Sequence, residues 1–240
     1  MKNLKSIHII PIVLVLICFL TLSFQIVEKR SNLNNKYINH EKKLIDPANV
    51  RVGKVSLDKF LKIYKEVLNE TLKEDIAWNY EIIVEKINLL LRTKGFNIQY
   101  LKEEDLSNVD FSKRDLRFLN LKEAKLQGAS FVKAKMKFVN IKEAYLEDAD
   151  FTEANLENSN IKEATLINAN FLNADLTGAN LKEANVEGTN FKGANLSEVD
   201  IHEANGLRLL QLLNAKSLYK THLPDELYAL IKMRKPALLK

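Results

Sequence analysis

The side chains able to do acid–base, nucleophilic or metal chemistry in this 240-residue chain are four histidines, one cysteine and 31 acidic residues. Their spacing does not assemble a reaction. His8, His40, His202 and His222 are scattered, and Cys18 lies inside an apolar run, so no thiol remains elsewhere to complete a zinc site or a disulfide. Nothing resembles a Gly-rich phosphate loop, a nucleophile motif or a Gly-Gly-x-Gly-x-Asp calcium repeat. The acidic residues, Asp148, Asp150, Glu153 and Glu157 among them, are spread through a strictly periodic region. A protein with no catalytic centre, metal or cofactor is expected, and the period itself needs an explanation.

An apolar residue falls at every fifth position, from Leu106, Phe111 and Leu116 to Leu196 and Ile201. Two residues before each stands a mostly small side chain, most often Ala, and one residue before each usually Asn or Asp. On an α-helix a five-residue step advances roughly 500°, which scatters the large residues around every side. On a straight strand an odd step sends alternate large residues into water. If the chain turns a corner once per five residues, the small and the large apolar residue share an inward face while the other three bend outward. That is one side of a β-solenoid coil.

A second period fixes the number of sides. Phe111, Phe131, Phe151, Phe171 and Phe191 recur every 20 residues, as does Leu121-Lys-Glu-Ala124 through Ile141, Ile161 and Leu181. Each coil is therefore expected to be a square of four sides. Stacking at about 4.8 Å puts like on like: a Phe column, an Ala column, adjacent Lys and Glu columns, and an Asn column through Asn120, Asn140, Asn160 and Asn180 whose amides can bond along the stack. About five coils give a rod roughly 24 Å long.

Written as Ala, Asn or Asp, Leu or Phe, then two variable residues, the repeat resembles the pentapeptide repeat family. Ala154-Asn-Leu-Glu-Asn158, Ala174-Asp-Leu-Thr-Gly178 and Ala194-Asn-Leu-Ser-Glu198 match its pattern. The resemblance implies a right-handed quadrilateral β-helix, a handedness that spacing does not show. Departures fall early, with Arg114 and Leu119 where Ala is usual and Lys125 and Lys135 where Asn or Asp is usual. A distorted or capped first coil is expected. The resemblance also offers an alternative function, since some of these proteins act as DNA mimics at the DNA site of type II topoisomerases.

The elements around the rod follow from shorter patterns. Ile7 to Val27 has no ionisable group except His8 and is flanked by Lys2 and Lys5, then by Glu28, Lys29 and Arg30; its length suits a bilayer span. Residues 1–27 are thus a single-pass anchor, or a signal cleaved after Ser23 in an exported protein. The apolar run past Ser23, through Phe24, Ile26 and Val27, favours the anchor. The flanking charges leave the side of the membrane open. Ile17 is bulky where a lipid-modified Cys18 wants a small neighbour.

Residues 28–55 are polar, without a period, and read as a linker. In the helical region 56–95, Ser56 caps a helix with apolar residues Leu57, Phe60, Leu61, Tyr64, Val67, Leu68 and Leu72, and a second run from Ile82 to Leu91 ends before Gly95. Residues 96–206 are the β-helix. Residues 207–240 are a helical cap over its open end, with Leu218 and Leu223 completing a last side and Pro224 starting a helix. The fold class expected is an all-β solenoid preceded by a transmembrane helix and a small helical region.

The formal charge of +5 is uneven: residues 106–140 carry eight basic and three acidic side chains, residues 141–205 four and 13. The candidate interaction surface is Phe118 and Phe138, large residues one coil apart at an outward site, with the acidic Asp148, Asp150, Glu153 and Glu157. Cover of the two phenylalanines by residues 56–92 is favoured over a binding hot spot. The function expected is a membrane-anchored, non-enzymatic scaffold for an unknown protein partner, without direct nucleic-acid contact and of open oligomeric state. The alternative is a DNA-mimicking modulator of a type II topoisomerase through the acidic coils, which the tether and the Lys column argue against.

Overall fold

One repeat shows how five residues make a side. The Leu121 carbonyl accepts the Ala124 N–H at 3.1 Å, closing a turn over Lys122 and Glu123, and Glu123 sits at φ 60°, the left-handed third position of a type II turn. Lys125 is then extended and bridges in parallel to Tyr145 in the next coil. Leu121 and Ala124 are fully buried. The computed structural model describes residues 45–52, 55–73, 80–94 and 101–240, and this unit repeats in it from 101 to 205.

Parallel bridges join each coil to the next at an offset of 20, as in Asp110↔Ser130, Asp115↔Lys135 and Asn120↔Asn140. The coils therefore have four sides. The expectation of an all-β solenoid is corrected in one respect: each side contributes a single bridging residue, because the turn uses the other four. The named strands among the described residues are only β1 (Arg51–Val52) and β2 (Val55–Ser56), a short antiparallel pair.

Inside, like stacks on like. Phe111, Phe131, Phe151, Phe171 and Phe191 are fully buried, with ring centroids of successive pairs 5.1, 4.8, 4.6 and 5.6 Å apart. The Asn column does more than ladder. Asn120, Asn140, Asn160 and Asn180 each accept, through Oδ1, the backbone N–H two residues on, at 3.1, 3.2, 3.3 and 2.9 Å, and so fix the corner that follows. A ladder bond joins Asn140 Nδ2 to Asn120 Oδ1 at 3.1 Å, and in the separate column that begins at Asp110 another joins Asn190 to Asn170 at 2.8 Å.

The first coil is capped, not distorted. Its bridges to the second coil are regular. Ile45, in the stretch read as linker, pairs with Val109: its carbonyl accepts the Asp110 N–H at 3.0 Å and its own N–H reaches the Asn108 carbonyl at 2.7 Å. Helix α1 (Leu57–Lys73) and helix α2 (Tyr80–Thr93) follow, and Ser56 caps α1 by accepting the Lys59 N–H at 3.3 Å. Residues Leu57, Phe60, Leu61, Tyr64, Val67 and Leu68 of α1 are buried in the same cluster as the first coils, with Ile83, Ile87 and Leu91 of α2.

At the other end α3 (Leu209–Leu213) and α4 (Asp225–Arg234) take over. Gln211 Nε2 donates to the Val186 and Thr189 carbonyls at 2.7 and 3.0 Å, and at Thr189 it replaces the backbone N–H that a further coil would have supplied. Leu218 is fully buried and Leu223 nearly so; both continue the inward face, because Asn195↔Ser217 and Asp200↔His222 still pair after a two-residue shift. Ile7 to Val27 lies outside the described residues. Among the described residues no helix is long and apolar enough to cross a membrane.

Two outcomes test this register. Phe151→Ala removes a ring stacked on both sides and is expected to lower unfolding free energy in urea by about 3–5 kcal/mol. Glu153→Ala, on an exposed corner, is expected to stay within about 0.5 kcal/mol; equal effects contradict the inward assignment. Gly206, at φ 74°, is where the chain leaves the last coil, and a Cβ there meets the Glu187 Cα and N at 2.9 Å. Gly206→Ala is expected to cost about 1–3 kcal/mol and to raise amide exchange in α3 first.

Candidate functional site

Phe118 and Phe138 occupy corner positions at φ 63° and 60° and stack with centroids 5.1 Å apart. They are not an open patch. Phe118 is buried and Phe138 partly so, in the cluster that contains α1. Tyr64 Oη donates to the Arg117 carbonyl at 2.6 Å. One coil on, the equivalent Lys137 carbonyl accepts the Phe118 N–H, so the tyrosine hydroxyl stands in for a missing coil. Arg114 occupies an inward Ala site at the open end, and its Nη2 reaches Asp58 Oδ1 in the first turn of α1 at 2.8 Å. The departure of Arg114 from the repeat is thereby explained.

The four acidic candidates are not brought together. Asp148, Asp150, Glu153 and Glu157 belong to four different columns of the rod, continuing Gly128, Ser130, Lys133 and Lys137 of the preceding coil. Glu153 meets Lys133 at 3.4 Å and Glu157 meets Lys137 at 2.7 Å. Asp150 Oδ1 accepts the Thr152 N–H, the Thr152 hydroxyl and the Asn170 amide. The 13-to-4 acidic excess of residues 141–205 is thus spread around the rod and partly neutralised by the basic coil before it.

The most ordered outward feature is the Lys and Glu pair of columns. Lys122 Nζ lies 2.8 Å from Glu123 and 3.7 Å from Glu143; Lys142 lies 2.9 Å from Glu143 and 3.6 Å from Glu163; Lys162 lies 3.0 Å from Glu163 and 3.4 Å from Glu183. Each lysine so bridges its own coil to the next. Its hydrogen bond to a glutamate raises the pKa of Lys122, Lys142 and Lys162 and lowers that of Glu163. Being exposed, the pairs are screened by salt and add little individually. His202 ends the lysine column, stacked on His222 at 4.7 Å, and His222 Nδ1 lies 3.1 Å from Asp200 Oδ1. Among the described residues no group of three or more His, Cys, Asp or Glu is placed to hold a metal ion.

The family model for a pentapeptide repeat region matches residues 104–181, and that for pentapeptide repeats in eight copies matches residues 174–205. Residues 104–205 are pentapeptide repeats. Among solved structures, the chain is similar to a pentapeptide repeat protein from the Arabidopsis thaliana thylakoid lumen, at 29% identity and TM-score 0.43 over 49% of this chain and 78% of that one. It is also similar to QnrB1, a plasmid-mediated fluoroquinolone resistance protein, at 23% identity and TM-score 0.45 over 54% of this chain and 64% of that one. It thus spans less than two thirds of QnrB1. No curated protein matches the chain.

Sequence reasoning located the repeat and the two phenylalanines but missed Ile45, Tyr64, Asp58 and Gln211, the side chains and edge that close the pentapeptide coils. Tyr64→Phe is expected to cost about 1–3 kcal/mol by leaving the Arg117 carbonyl unpaired, and hydrogen exchange should localise the loss to the first coil. The Asp58 carboxyl is held below its ordinary value by the Lys62 ammonium, opposed by partial burial and helped by Arg114. A carboxyl depressed in the folded state contributes stability above its unfolded value and loses it as pH falls through the folded one. The α1 contact is therefore expected to loosen below about pH 4, and Asp58→Asn to flatten that acid limb.

Proposed function

We propose that this protein is a non-enzymatic scaffold, a rigid pentapeptide-repeat rod held at a membrane by its N-terminal segment and presenting its surface to a protein partner. One observation carries the reading. Apart from Arg114, which is paired with Asp58 of α1, every inward position from Leu106 to Ile201 is filled by an apolar or small side chain that is essentially unexposed, so the other groups able to do chemistry stand outside, in columns, with no enclosed environment to perturb them. A rod of this kind resists bending because each coil is hydrogen-bonded to its neighbours on four sides.

The DNA-mimic alternative needs a concentrated anionic face, since such binding works through summed charge. The dispersal of Asp148, Asp150, Glu153 and Glu157 over four columns, two of them paired with lysine, weighs against it. The fragment from Leu44 onward is expected to leave supercoiling by purified gyrase unchanged at micromolar concentration. Dose-dependent inhibition that falls steeply with salt and disappears when those four residues are neutralised replaces the scaffold with the mimic. The full-length protein is further expected to stay with membranes through a high-salt wash; recovery of a soluble product starting at Phe24 identifies a cleaved signal.

A further inference from the structure

Large apolar side chains are mostly buried along this rod, but among the described residues the two most exposed stand at its far end. Leu210 in α3 is 73% exposed and Met233 in α4 is 78% exposed. Each stands two residues from a fully buried plug, Leu212 and Ile231. Two residues turn a helix by about 200°, so both side chains point away from the core that their helices cap. Tyr228 and Leu230 are also exposed.

The same end is basic. Residues 207–240 carry seven basic and two acidic side chains. The acids, Asp225 and Glu226, are in the first turn of α4, where the helix dipole favours them. Arg208 flanks Leu210, while Lys232 and Arg234 flank Met233, all of them exposed. Lys232 also lies over the Tyr228 ring at 5.9 Å.

We propose that the C-terminal cap docks on an anionic lipid surface, with Leu210 and Met233 inserted at the acyl boundary and Arg208, Lys232 and Arg234 against the headgroups. Exposed apolar side chains with exposed basic neighbours in sequence suit such a surface, which attracts basic residues and accepts single apolar side chains. Charge selects this occupant. A second copy meeting cap to cap sets two net-positive surfaces together, and the acidic coils 141–205 have much of their charge engaged by lysines already. The inference does not depend on the scaffold reading.

Ile7 to Val27 is present in the full chain, so binding to vesicles alone does not test the proposal and the signal must come from the cap. Trp78 is the only tryptophan; Trp78→Phe combined with Met233→Trp in the full chain leaves one fluorophore at the tip. In phosphatidylcholine vesicles with about 30% phosphatidylserine, its emission is expected to shift to the blue and to be quenched by acyl-chain bromines, with little of either in phosphatidylcholine alone. The ratio of docked to undocked cap is expected to fall about 5-fold for each of Arg208→Gln, Lys232→Gln and Arg234→Gln. Leu210→Trp in place of Met233→Trp repeats the measurement where the first variant misfolds. No quenching in anionic vesicles from either position, or equal quenching in neutral ones, overturns the proposal. A blue shift that grows with protein concentration in lipid-free detergent assigns the face to a second copy and overturns it as well.

Discussion

The constraint on which this structure depends is the coil-to-coil backbone hydrogen bond, made through one extended residue per side. It holds each residue directly over the one twenty positions earlier, so a side chain's nearest neighbour is its own counterpart. Only types that tolerate themselves at such a distance can fill a column. Phenylalanine does so by stacking near face to face, with planes within 5° for Phe131, Phe151 and Phe171, and asparagine by donating to the one below. Lysine does not, since like charges at that spacing repel by about 1 kcal/mol in water. The glutamate column beside it offsets the repulsion with the zigzag of contacts from Lys102 to Glu203.

The corner imposes a second filter. Every coil corner from Glu103 to Glu203 that carries a positive φ holds Gly, Asn, Asp, Glu, Lys or Phe, and none holds a β-branched residue, for which a left-handed φ is a true outlier. The β-branched residues in the turn that face outward, Val132, Thr152, Ile167 and Thr177, occupy the preceding position, and Thr165 occupies an extended bridging position. Where asparagine and glycine succeed each other up a column, as in Asn168 and Gly188, the Asn168 Oδ1 occupies the space of the missing Cβ, 2.3 Å from where it would be. The two variable positions of the repeat are thus variable only within backbone limits.

The fold was legible in the sequence because a period is a property of the backbone: a five-residue step excludes helix and flat strand before any residue type is weighed, and a 20-residue recurrence counts the sides. Closure of the ends was legible only in part. Arg114 announced itself as a departure from Ala, but Asp58, 56 residues earlier, carried no mark of being its partner. Tyr64 reads as one more member of an apolar stripe, since its hydroxyl function depends on which carbonyl lies above it. Ile45 sits in a polar stretch with no period, and a single edge pairing leaves no pattern to find. That the acidic candidates fall on four columns was not legible for the converse reason, because a net charge summed along the sequence says nothing about the column on which each charge falls.

Repetition also decides where recognition can be specific. Along the Lys and Glu columns one coil looks like the next, so a partner docked there could slide by a rung and meet nearly the same groups. A unique register exists only where the repeat breaks. At the first coils the break is occupied from within, by α1 over Arg114, Arg117 and Phe118. At the last coil the break is α3 and α4, whose inner residues Leu212 and Ile231 are committed to the core and whose outer residues are not. The sides of the rod supply stiffness and solubility, and the individuality of the molecule is concentrated at its C-terminal end.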